Sequence, residues 1–178
     1  MLLDFVYAHS QPPDGAPLKH SHLAERALGD LMTALASNDV SPGAGAAGAV
    51  ALALAAACAG KAVAITLKHR QEDESLTRVG QQLAEIRRRA MFGADEDSRR
   101  FEDFIHEKDA RSAVALIRAG EGLQHLAEVL REVLRDIETQ IDSVMAGDIA
   151  AAHALCDAFA AIQAANLEET RRAADLRE

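Results

Sequence analysis

AAGAVALALAAACAGKAVAITL, residues 46–67, follows directly on the turn Ser41-Pro42-Gly43-Ala44-Gly45. The run contains no proline and is apolar except at Lys61, and alanine and leucine dominate it, so it is a helix. Its length would cross a bilayer. Eleven of its 22 residues are alanine, however, which makes it only weakly hydrophobic, and Lys61 sits where a membrane makes charge costly. A buried helix of a soluble protein accounts for it better. A helix apolar on all sides needs neighbours on all sides. In a chain of 178 residues this points to helix-on-helix packing in which a second subunit helps cover the run.

The segments around it have helical periodicity. Leu23, Ala27, Leu31 and Leu35 share one face of a helix expected over about 18–37, and the alanine-rich helix should reach about His69. Leu76, Val79, Leu83, Ile86 and Ala90 alternate by three and four in a third helix, over about 72–92. A fourth segment from Asp95 to Arg118 buries Phe101, Phe104 and Ile105, with an interruption expected near Asp109. Gly120 and Gly122 predict a turn. A fifth helix over 123–145 carries Leu126, Leu130, Val133, Ile137, Ile141 and Val144. Gly147 is expected to close it and Asp148 to cap a last helix reaching about Ala174. Residues 1–18 read as an N-terminal arm and 19–178 as one helical domain. The expected class is all-α: an antiparallel helical bundle around a central alanine-rich helix, dimeric.

The net charge of −9 speaks against nucleic acid and against an anionic membrane surface as partners. Cys58 and Cys156 stand in alanine-rich runs without CxxC spacing, as small buried hydrophobes in a reducing compartment. No metal-ligand spacing is visible. The N-terminus lacks a basic stretch followed by an apolar one, so the expected location is the cytoplasm.

Three stretches are candidates for chemistry. The turn Pro42-Gly43-Ala44-Gly45 opens into a helix N-terminus, where uncovered N–H groups and the helix dipole favour an anion. The spacing alone fits better with a turn that permits close packing. Lys68-His69-Arg70, at the other end of that helix, complement the dipole and could also meet carboxylates. Asp95-Glu96-Asp97 read as ordinary first-turn acids; paired carboxylates can also divide acid and base roles when one is desolvated.

Residues 31–67 resemble the formiminotetrahydrofolate cyclodeaminase and methenyltetrahydrofolate cyclohydrolase family. Leu35-Ala36-Ser37, the turn Ser41-Pro42-Gly43-Ala44-Gly45 and Ile65-Thr66 follow its pattern, with Ala44 where the family turn has its middle glycine. Ile86-Arg87-Arg88, Glu96-Asp97-Ser98-Arg99-Arg100-Phe101, Ala146-Gly147-Asp148 and Asn166-Leu167 continue it. Order and spacing agree over about residues 24–101; the Leu-Pro-Lys loop that should follow Phe101 is absent.

The resemblance implies a dimeric helical subunit acting on a tetrahydrofolate derivative, with no metal. The reaction is either ring closure with loss of ammonia or hydration of a methenyl bridge. Asp97 is then the catalytic carboxylate. Pro42, Gly43 and Gly45 line the substrate site, and Lys68, His69 and Arg70 meet the glutamate tail. The alternative is a non-catalytic helical oligomerisation or carrier-binding subunit that kept the fold.

Overall fold

The computed structural model describes residues 28–70 and 73–175, and among these no strand occurs. The predicted arm, and the first half of the predicted first helix, lie outside the described residues. Five α-helices follow one another: α1 (Leu28–Leu35), α2 (Ala44–His69), α3 (Glu74–Glu107), α4 (Ala110–Ile137) and α5 (Ala146–Asp175). The fold is all-α, an antiparallel bundle built on the alanine-rich helix. α2 packs against α3 and α5, α4 closes the bundle by packing on both, and the connections are short.

The apolar stripes explain this packing. Leu76, Leu83, Ile86 and Ala90 of α3 are buried. Leu123, Leu126, Leu130, Val133 and Ile137 of α4 face them across one continuous core. α5 contributes Ile149, Ala152, Cys156 and Phe159 to the same core. In α2 the small residues govern the distance between helices. A Cβ on Gly48 would lie 3.1 Å from Ile162 Cγ2, so its absence lets α5 come close. α2 is not covered on every side within the chain: Leu54 is 49% exposed, Lys61 and Ala64 are exposed, and Ala47 and Ala51 are only half-buried.

The helix boundaries differ from those expected around 93–94 and at Gly120 and Gly122. α3 runs unbroken through Gly93, and α4 runs through Gly120 and Gly122. Interior glycine costs about 1 kcal/mol relative to alanine, which tertiary packing can outweigh. A Cβ on Gly93 would collide with the Leu123 side chain, and one on Gly120 with Gln163 and Leu167. Both are points of close approach between helices. The interruption expected near Asp109 is present: Lys108 is left-handed (φ 54°), and Asp109 caps α4 by accepting from Ser112 N–H at 2.7 Å. The predicted fifth helix ends earlier, at Ile137, and a 3-10 turn over Ser143–Met145 leads into α5. Gly147 and Asp148 therefore lie in the first turn of α5, not at a C-cap and an N-cap.

Candidate active site

α2 has 26 residues, whereas α3 has 34, α4 has 28 and α5 has 30. The bundle therefore outruns its alanine-rich member at one end. Beyond Gly43, the end of α3, the start of α4 and the end of α5 continue with no α2 between them. A small separate cluster of Phe104, Ala113 and Leu116, with Phe101 and Ile105 packed on it, closes the outer side. The space left is a cavity of about 380 Å³. Gly43, Ala44 and Gly45 form its floor, and Asp97, Gln163, Asn166 and Thr170 supply polar groups to otherwise mostly apolar walls. Apolar walls with a few converging polar groups are the usual composition of a small-molecule site.

Asp97 occupies a position that only a glycine could leave open. A Cβ on Gly45 would fall on both carboxylate oxygens of Asp97. The N-cap residue of α2, Gly43, offers no side chain to the free N–H groups there. Asp97 supplies the missing acceptor from α3, and Ala46 N–H donates to it. Burial pushes the Asp97 carboxyl up from 3.8 to about 6; the hydrogen bond from Ala46 opposes the shift without cancelling it. The environment divides the acidic run. Asp97 is 9% exposed and faces the cavity. Partial burial of Glu96 works against ionisation, but its bonds to Arg99 and Arg100, the latter at 2.8 Å, hold its pKa below the ordinary value. One carboxylate is thus tied up in surface pairing. The other stands in a dry wall, close to the pH at which it can both take and give a proton.

Of the residues singled out in the sequence, the structure brings Gly43, Gly45 and Asp97 to one cavity. Pro42 precedes it and is half-buried. Lys68, His69 and Arg70 are elsewhere. At about 1.5 Å of rise per residue, the two ends of α2 lie roughly 37 Å apart, so within one chain these three cannot meet a ligand that rests on Gly45. Two of them do structural work at the far end. His69 Nδ1 lies 2.6 Å from Asp142 Oδ2, and Arg70 lies 3.5 Å from the other oxygen of Asp142. Asp142 N–H donates to the buried Thr66 hydroxyl at 3.1 Å, which anchors the α4–α5 connection to the end of α2. His69 and Arg70 thus hold that connection at the C-terminal end of α2.

The sequence reading missed Gln163. It is 1% exposed, it lines the cavity, and its Oε1 is buried without a hydrogen-bond partner. The available signal was periodicity. Ile149, Ala152, Cys156, Phe159, Gln163 and Leu167 form the buried stripe of α5, and a glutamine in an otherwise apolar stripe needs a reason.

Comparison with known proteins bears on the fold and the family. The structure superposes on formiminotetrahydrofolate cyclodeaminase from Thermotoga maritima with a TM-score of 0.76, at 17% sequence identity, covering 86% of this chain and 89% of that one. That likeness shows a shared fold. No protein of curated function matches the chain by sequence. The model of the formiminotransferase-cyclodeaminase family matches residues 27–114, the stretch that holds the glycine turn, α2 and Asp97. The chain belongs to the formiminotransferase-cyclodeaminase family.

Proposed function

We propose that this protein is a folate-dependent one-carbon enzyme of the cyclodeaminase or cyclohydrolase type, with its reaction centred on Asp97. The observation that carries the reading is a buried carboxyl with a pKa of about 6 in the wall of a cavity at a helix N-terminus. Both reactions move protons around a carbon held between two nitrogens. In hydration of a methenyl bridge, a base takes a proton from water as its oxygen bonds to that carbon, and an acid returns one to the nitrogen that leaves. In ring closure on a formimino group, one nitrogen attacks the carbon and the departing ammonia must be protonated. A carboxyl that titrates near neutrality suits both roles. The free N–H groups at the start of α2 favour negative charge in the ligand.

The test is spectroscopic. Purified protein should accelerate the loss of methenyl-tetrahydrofolate absorbance, or generate that absorbance together with ammonia from 5-formimino-tetrahydrofolate. If it does neither, and does not bind either compound, the one-carbon reading fails.

The reading extends to assembly and location. The uncovered stripe of α2 around Ala47, Ala51 and Leu54 suits a second copy of the chain in a cytoplasmic homodimer. Sedimentation at micromolar concentration should give twice the chain mass, and Leu54→Asp should return it to the monomer by placing an unpaired charge in the contact. A wild-type protein that stays monomeric would remove the homodimer.

A further inference from the structure

Two glycines shape the walls of the cavity, and each makes room for one polar group. Gly45 admits the Asp97 carboxylate; Gly120, on α4, admits the Gln163 amide, since a Cβ there would fall on Gln163 Nε2 and lie 3.0 Å from Leu167 Cδ2. A helix interior that accepts glycine in order to seat an amide places that amide deliberately, because an alanine at 120 would support the helix better. Yet the seated amide is left incomplete. Gln163 Oε1 is shut off from solvent and has no partner, which folded proteins avoid unless a ligand or a water completes the bond. A leucine at this place in the α5 stripe would cost nothing in hydrogen bonding.

We propose that Gln163 is a substrate-reading residue whose side-chain oxygen accepts a hydrogen bond from an N–H on the nitrogen heterocycle that fills the cavity beside Asp97. Phe101 and Phe104, which also line the cavity, give the flat part of such a ligand aromatic surface. The carboxyl moves protons beside the reacting carbon, and the amide fixes which edge of the heterocycle faces it. The ligand's identity rests on the one-carbon reading; the role of the amide rests on its own geometry.

The experiment compares Gln163→Met, which keeps the length of the side chain and removes its polar end, with the parent. Binding of methenyl-tetrahydrofolate is measured by calorimetry in an Asp97→Asn background, where turnover is suppressed. The melting temperature of the ligand-free protein is measured in parallel. The expected result is a tenfold to hundredfold loss of affinity together with an unchanged or raised melting temperature, because an unpaired buried acceptor has been removed. Unchanged affinity overturns the proposal. A lowered melting temperature also overturns it, since the amide would then be completed by the protein itself. Gln163→Leu serves as a second variant, and loss of the helical spectrum in both assigns the amide to the core and overturns the proposal as well. If the Asp97→Asn parent and the wild type both fail to bind methenyl-tetrahydrofolate, the one-carbon reading is what fails, and the melting temperatures alone decide the role of Gln163.

Discussion

Asp97→Asn is expected to lower the one-carbon rate by about two to four orders of magnitude, the usual reach of general acid–base catalysis, and at the same time to stabilise the protein at neutral pH. The second half follows from proton linkage. The Asp97 carboxyl titrates at about 6 in the folded protein, against 3.8 in the reference state. Between those values the folded state keeps a proton that the unfolded chain has released, so stability falls as pH rises through this window. Above it, the folded protein carries the full penalty of a buried charge, on the order of 2–3 kcal/mol. Asparagine can still accept from Ala46 N–H and carries no charge to bury. The variant should therefore melt higher than wild type at pH 7, with the difference shrinking toward zero near pH 4. Thermal melts across that range check the stability and stopped-flow absorbance checks the rate. A variant that loses stability at neutral pH, with a rate within a few-fold of wild type, would reduce Asp97 to a helix cap.

Gly45→Val should be at least as damaging, for a steric reason. In a helix, glycine to alanine gains about 1 kcal/mol from propensity, and valine gains less. Here the new Cβ meets the Asp97 carboxylate, and overpacking at such a site costs about 1–3 kcal/mol. The carboxylate must then move, which uncaps Ala46 N–H and takes the buried carboxyl out of that wall. Net destabilisation of about 1–2 kcal/mol is expected, with activity falling to the level of Asp97→Asn or below. Gly43 is the control. A Cβ there would meet nothing within 4 Å, so Gly43→Ala should leave the melting temperature nearly unchanged. Equal effects at 43 and 45 would show that backbone flexibility of the turn, not the Asp97 notch, is what matters.

The helices were legible in the sequence because burial repeats with helical period. The stripes of α3 and α4 lie on the residues that alternate by three and four, and α2 starts where Gly43 ends the turn. The glycines were harder. Gly93 and Gly120 look like breaks in a one-dimensional reading, because what they admit, Leu123 and Gln163, comes from other helices. The site was half legible. The turn and the acidic run could be matched to a family pattern, whereas Gln163, between Ile162 and Ala164, looks like a polar-face residue until the register of α5 is known. Lys68, His69 and Arg70 stand at the other end of α2, and the length of that helix separates them from Gly45 within one chain.

The two notches also bear on how such a site is lost and kept over generations. The cavity depends on atoms that are missing at Gly45 and Gly120, where a Cβ would displace the Asp97 carboxylate and the Gln163 amide. One methyl group added at either place would push a polar group out of its seat in the pocket wall. A catalyst and an inert scaffold of the same shape are therefore neighbours in sequence space, and a change at a single codon can carry a lineage from one to the other.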